Sequence, residues 1–169
     1  IEPRKNLKNL LLAYNLLDES LKKEYHLIVV GAEGWKNQDI MELITTMQPF
    51  VSYSGYVDDE TLAQLYSDAT LFIYPSFYEG FGIPPLEAMA SGTPVISSNA
   101  STLPEVCADA AYYIEPNDIE AITAAMNLFL KNPSLQDEYI QKGLIRSKHF
   151  SWEKSGEEHN DLFKSLLRS

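Results

Sequence analysis

The chain has 169 residues, of which 45% are hydrophobic, a length and apolar content that suit one domain with a sizeable core. Its formal net charge of −11, with a pI near 4.6, repels the phosphates of nucleic acid and anionic lipid headgroups, so no nucleic-acid partner is expected, and a small phosphorylated ligand needs local positive charge or aimed amides. No run reaches the roughly 18 apolar residues of a membrane span, the start Ile-Glu-Pro-Arg-Lys-Asn lacks the apolar core of a signal peptide, and Cys107 stands alone, outside any disulfide framework or cysteine metal site, so a soluble cytoplasmic chain is expected.

Residues 1–6 read as a loop in which Arg4 and Lys5 form a basic pair. Leu7, Leu10, Leu11, Tyr14 and Leu17 follow at helical spacing, so the first element is a helix, and a preceding strand is expected outside this sequence. Residues 26–30 predict a buried strand ending in the turn Gly31-Ala32-Glu33-Gly34-Trp35, which leaves room for a ligand or simply turns the chain. Ile40, Leu43, Ile44 and Met47 give the next helix its apolar face, and residues 51–53 a short strand that stops at Gly55. Tyr56-Val57 comes next. The acids Asp58, Asp59 and Glu60 suit a helix N-cap and first turn better than a metal site. Leu62, Leu65, Tyr66 and Ala69 complete that helix.

The most informative stretch runs from Tyr74 to Gly92. Pro75 ends the apolar run 70–74, because proline has no N–H for a sheet ladder. In the loop that follows, Gly80 and Gly82 permit backbone angles and approaches that a Cβ resists, so amides around Phe81 and Ile83 can crowd against an anion. Pro84 and Pro85 suit a first helical turn, and the helix through Leu86-Glu87-Ala88-Met89-Ala90 closes at Gly92. Glu79 and Glu87 would stand about 80° and about 12 Å apart on one unbroken helix, but the glycines and prolines between them forbid it. Glu79 is therefore placed in the loop and Glu87 near the helix start, both facing the crevice at the carboxyl end of the strand. Taken singly, Glu87 also suits a helix N-terminus and Glu79 a solvated loop.

Beyond Gly92, residues 95–97 predict a strand with the polar loop 98–101 at its end, 103–106 a short helix, and 111–114 a fifth strand. Asp118 caps a helix with Ile119, Ile122, Met126 and Phe129 on one face; Pro133 opens another; Ser151 caps the last, where Trp152, His159, Leu162, Phe163 and Leu166 share a side. His26, His149 and His159 are scattered, without the spacing of metal ligands or of a nucleophile and its base. Strands alternating with helices at short connections predict an α/β fold, a three-layer, doubly wound parallel sheet of about five to six strands.

The segment 74–92 closely resembles the donor-binding segment of the retaining family 4 glycosyltransferases, whose two glutamates with seven residues between them match Glu79 and Glu87. The likeness extends from Lys5 to Trp152 through the Arg-Lys-Asn loop, the Gly-Tyr-Val segment at Tyr56 and Val57, and the closing Phe-Ser-Trp-Glu. It implies the C-terminal, nucleotide-sugar-binding domain of a two-domain GT-B hexosyltransferase, Rossmann-like, over residues 1–169, with the N-terminal acceptor domain outside this chain. The implied donor is a nucleotide-diphosphate sugar, with no further cofactor and no metal; the implied acceptor is a saccharide held by the other domain, through which alone membrane association would come. Catalytic placement falls on Glu79, near the transferred sugar's hydroxyls, while Glu87 meets the ribose and Lys5 the diphosphate. A partner arginine that the family carries ahead of that lysine falls before Ile1, and Arg4 is its partial substitute. Gly31, Tyr56, Val57 and the segment Gly80, Phe81, Gly82, Ile83 complete the implied donor contacts. The start also resembles mannosyltransferases, which favours GDP-mannose. Two alternatives stay open, a nucleotide-sugar epimerase of related architecture and a non-catalytic flavodoxin-like module.

Overall fold

Four helix starts in this chain are written in their capping residues. The computed structural model describes residues 2–32, 34 and 38–167, and in it Asp58, Asp118, Asn132 and Ser151 each accept a hydrogen bond from the backbone N–H three residues on, at 2.8–3.2 Å, satisfying a donor that the first turn leaves without a partner. After a 3-10 turn at Pro3–Lys5 the order is α1 (Leu7–Asn15), α2 (Glu19–Glu24), β1 (Leu27–Val30), α3 (Gln38–Thr46), β2 (Val51–Gly55), α4 (Asp59–Asp68) and β3 (Phe72–Tyr74). Then come α5 (Ile83–Ala90), β4 (Val95–Ser98), α6 (Leu103–Cys107), β5 (Ala111–Ile114), α7 (Ile119–Leu130), α8 (Pro133–Ser147) and α9 (Trp152–Leu166).

All pairings are parallel, β1 with β2 and β3–β4–β5 in that order. Helices cover both faces. Val29, Val51, Ile96 and Ile114 share one core with α1, α2, α3 and α7, centred on Leu11 and Phe129. Val95 and Ala111 face the opposite way, against Tyr66 of α4, Leu86 and Met89 of α5, and Val106 and Cys107 of α6. Gly143 lets α8 pack closely on α5, since a Cβ there would stand 3.1 Å from Met89 Cγ. This is the doubly wound α/β architecture, with five strands in the described residues.

Four local expectations need correction. The first six residues are not simply loop, because Pro3–Lys5 forms a 3-10 turn that Asn6 closes in the left-handed conformation (φ 57°). The helix read through Leu17 ends at Asn15, and α2 follows it, a short polar helix whose single buried residue, Leu21, gives too little periodicity to see. Strand β1 is only half buried: Ile28 is 48% and Val30 36% exposed, although the apolar run resembles a strand covered on both sides. The sheet is split between β1 and β3, and a flavodoxin-like order, which would pair them, does not form among the described residues. The turn read at residues 31–35 lies in part, at Glu33 and Trp35, outside the described residues.

The two loop glycines differ in kind. Gly82 caps α5 at φ 113°, and a Cβ there would lie 2.7 Å from Leu103 Cδ2; Gly80 has no such backbone angle and faces open space. Gly82→Ala is therefore expected to lower unfolding free energy by about 1–3 kcal/mol, from strain and overpacking, and Gly80→Ala by less than about 0.5 kcal/mol. Urea titration of both variants checks the contrast; equal losses would mean that the α5 cap does not depend on this geometry.

Candidate functional site

In a parallel sheet the loops after the strands gather at one edge, and here they collect residues far apart in sequence. Gly31 follows β1, Tyr56 and Val57 follow β2, 75–83 follow β3, 98–102 follow β4 and Pro116 follows β5, with Arg4 and Lys5 arriving beside them in the 3-10 turn.

At the centre lies Glu79, 6% exposed. One carboxylate oxygen, Oε1, accepts hydrogen bonds from Lys5 Nζ at 2.7 Å and from the Tyr74 hydroxyl at 2.9 Å. The other, Oε2, accepts from Arg4 Nη1 at 2.6 Å. Lys5 Nζ also donates to the Tyr74 oxygen at 2.6 Å, and Arg4 Nε pairs with Glu2 at 2.6 Å. Burial by itself would raise the Glu79 pKa, but the hydrogen bonds to its carboxylate, that from Lys5 the largest, outweigh it and hold the carboxyl below its ordinary value. Burial, and then the hydrogen bond to Glu79, push the Tyr74 hydroxyl upward, so it remains a donor at neutral pH.

The backbone around Glu79 is clamped from two sides. Ser101 Oγ donates to the Glu79 carbonyl at 2.7 Å, and Thr102 Oγ1 to the Phe81 carbonyl at 2.8 Å, tying the loop to the turn after β4. From the other side Phe77 N–H donates to the Arg4 carbonyl at 2.8 Å. Buried Asn6 donates to the carbonyls of Pro75 at 3.0 Å and Pro116 at 2.6 Å, so one amide bridges the ends of β3 and β5.

The structure therefore brings Arg4, Lys5 and Glu79 together, but not as the free basic pair and loop carboxylate that each alone suggested. Both cations are already engaged by the glutamate. Glu87 sits apart from that cluster: exposed on the second turn of α5, it accepts a hydrogen bond from the Tyr66 hydroxyl of α4 at 3.1 Å. Gly31 is left-handed (φ 138°), and its carbonyl accepts from the Tyr53 hydroxyl at 2.8 Å. Tyr56 is 79% exposed and Val57 half buried, while Gly80, Phe81 and Ile83 are exposed on the same rim.

Sequence reasoning missed Tyr74, Tyr66, Asn6 and Thr102, and it read Ser101 only as part of the polar loop 98–101. Tyr74 looked like an ordinary strand residue, and its reach to Glu79 depends on the path of the loop between them. Asn6 left a usable signal, an asparagine between a basic pair and a helix start, where a left-handed residue is tolerated.

A parallel sheet wound in both directions, with a buried carboxylate and cations at its strand ends, defines a Rossmann-like domain. Residues 1–146 match the family described as Glycosyl transferases group 1, and the chain belongs to that family. It is 43% identical over 168 residues to O-antigen chain mannosyltransferase B of Escherichia coli, covering 98% of this chain and 44% of that protein. A sucrose-phosphate synthase structure from Thermosynechococcus elongatus superposes with a TM-score of 0.88 at 28% identity, over 99% of this chain and 43% of the other. The fold also matches Anabaena HepE, solved with UDP-glucose, with a TM-score of 0.86 at 20% identity, over 98% of this chain and 46% of that one. The chain thus spans less than half the length of these relatives. Membership of a transferase family removes the epimerase alternative. No described helix is long and apolar enough to cross a membrane.

Because the folded-state pKa of Glu79 lies below its ordinary 4.5, its contribution to stability is present above that pH and is lost as pH falls through the lower folded value. Glu79→Gln should show a shallower loss of stability than wild type across this acid range, measured as the difference in urea midpoint at each pH. Parallel curves would mean that the carboxylate is not held ionised by Lys5, Tyr74 and Arg4.

Proposed function

We propose that this chain is the C-terminal, nucleotide-sugar-binding half of a retaining glycosyltransferase, which moves a hexose from a nucleotide-diphosphate donor to a saccharide acceptor carried by the rest of the protein. The observation that carries the proposal is the buried Glu79 with Lys5 at the strand ends, in a chain of the glycosyl transferases group 1 family. Mannose is the favoured hexose, in line with the 43%-identical mannosyltransferase.

The hydrogen-bond arithmetic gives the site a working order. A carboxylate offers about four acceptor positions, and Glu79 already uses three of them. One position remains for a sugar hydroxyl. When a diphosphate draws the Lys5 ammonium toward itself, a second acceptor on Oε1 is freed, so diphosphate capture and sugar capture are coupled through one lysine. Lys5 and the amides of 80–83 then face the leaving diphosphate, where negative charge grows as the glycosidic bond breaks. Pro84 and Pro85 carry no N–H, so the loop amides contribute more here than the start of α5. Glu79 orients the sugar and is assigned no nucleophilic role. Glu87, next to Tyr66, accepts from the ribose hydroxyls.

Calorimetric titration of the isolated chain with nucleoside diphosphates is expected to give weak binding without sugar transfer, because the acceptor-binding half closes over the donor only in the longer protein. Efficient transfer by the isolated chain would refute that division of labour. For Glu87, a charge-assisted hydrogen bond worth roughly 1.5–3 kcal/mol predicts that Glu87→Ala weakens binding by about 10- to 150-fold. Pairing this variant with the 2′,3′-dideoxy nucleotide makes a double-mutant cycle, and coupling above about 0.5 kcal/mol supports ribose contact. If both ligands weaken by the same factor, Glu87 acts only through its helix.

A further inference from the structure

We infer that the two neighbouring cations divide the work of the site: Arg4 is a positioning residue that stays on Glu79 when a diphosphate draws Lys5 away, and it is not itself a phosphate ligand. The inference rests on the donor reading above, and it replaces the expectation that Arg4 substitutes for a phosphate-binding arginine with a role on the carboxylate.

The two side chains are held differently. Arg4 is fixed to three consecutive residues of the loop after β3: its carbonyl accepts from Phe77 N–H at 2.8 Å, and its Nη1 donates to the Tyr78 carbonyl at 3.3 Å and to Glu79 Oε2 at 2.6 Å. On the other edge Nε donates to Glu2 Oε2 at 2.6 Å. One planar guanidinium thus lies between two carboxylates, and the rigid fork of its N–H groups serves both at once. Turning it toward a ligand breaks all three side-chain bonds together. Lys5 has no such hold. Among the described residues its ammonium meets only side-chain groups, Glu79 Oε1 at 2.7 Å and the Tyr74 hydroxyl at 2.6 Å, and it lies 5.0 Å from the centre of the Tyr74 ring. A compact charge on a flexible four-carbon stem leaves those oxygens by rotating the stem, with no backbone group abandoned. Both residues sit on the turn Pro3–Lys5, where successive side chains of a 3-10 helix project about 120° apart. They therefore reach opposite oxygens of one carboxylate, Arg4 at Oε2 and Lys5 at Oε1.

Charge decides that one cation must stay. Glu2, Arg4, Glu79 and Lys5 form a chain of contacts, two acids and two bases with no net formal charge. Only Glu79 is buried, while the Glu2 side chain is 45% exposed, so the cost of lost compensation falls on Glu79. Of the hydrogen bonds that hold Glu79 ionised, that from Lys5 is the largest, and it is the one a diphosphate removes. Were Arg4 to leave as well, the buried carboxylate would keep the Tyr74 hydroxyl but no cation, and it would take up a proton instead of remaining an ion. A protonated carboxyl has fewer acceptor positions for sugar hydroxyls. With Arg4 in place Oε2 keeps its position while Oε1 is vacated, so the new opening falls on a defined oxygen of a fixed side chain.

The test is a double-mutant cycle on the full-length protein, read as calorimetric affinity for GDP or UDP, whichever binds wild type more tightly. Arg4→Met is expected to weaken binding by about 10-fold where Glu79 is present, because withdrawing Lys5 then leaves the carboxylate uncompensated, and by less than about 3-fold in the Glu79→Gln background, where no charge needs compensation. The backbone bond from Phe77 survives the substitution in both. Lys5→Met is expected to weaken binding by about 10-fold or more in either background. An Arg4→Met loss of the same size in both backgrounds makes Arg4 a phosphate ligand and overturns the inference; no loss in either overturns it too. If Arg4→Met alone fails to fold, recovery of folding on adding Glu79→Gln is the expected result, and failure of the double variant as well overturns the inference. Failure of the donor reading has its own pattern: neither diphosphate binds wild type, or Lys5→Met binds as wild type does, and the division between the cations falls with it.

Discussion

A carboxylate shut away from water must be compensated, and the compensation of Glu79 organises this site. Lys5, Arg4 and the Tyr74 hydroxyl together hold a charge that burial would otherwise neutralise. Those partners come from separate parts of the chain: two from the turn ahead of α1, one from the end of β3. Neutralising the glutamate therefore docks the first turn against the loop that follows β3. The same contacts keep two cations at the strand ends of a chain whose overall charge is −11. Under the proposed function, Lys5 is the cation that would turn from Glu79 toward a phosphorylated ligand.

Hydrogen bonds from loop to loop make that docking rigid. Asn6 spans the ends of β3 and β5, Ser101 and Thr102 hold the glycine loop from the β4 side, and Gly82 sets the entry into α5. Each is a small polar group or a glycine at a point where backbones approach closely. Around this frame Tyr56, Tyr78 and Phe81 remain exposed. A stiff polar centre ringed by exposed aromatic side chains is a suitable arrangement for a ligand with both a charged and a planar part.

Helix α9 shows how far an amphipathic pattern reaches and where it stops. Its apolar positions share a side as their spacing predicts, yet Trp152, Leu162, Phe163 and Leu166 are exposed and the helix has no buried residue. Periodicity reports that a helix has an apolar side; it does not name the neighbour that covers it.

The parallel, doubly wound class and the positions of β4, β5, α4, α5, α7 and α8 were legible in the sequence, because alternating apolar runs, capping residues and prolines act through neighbours only a few residues apart. So was the place of Glu79 in the loop at the carboxyl end of β3, since the glycines and prolines around it forbid an unbroken helix. Tertiary structure alone decided that Arg4 and Lys5 both pair with Glu79, that Tyr74 completes the carboxylate's shell, that Glu87 leans on Tyr66, and that β1 stands half exposed beside a split. Arg4 and Lys5 lie 75 and 74 positions from Glu79, and Tyr66 lies 21 from Glu87; Tyr74, five positions from Glu79, reaches it only through the path of the loop between them, and no local spacing encodes which group will arrive within hydrogen-bonding distance.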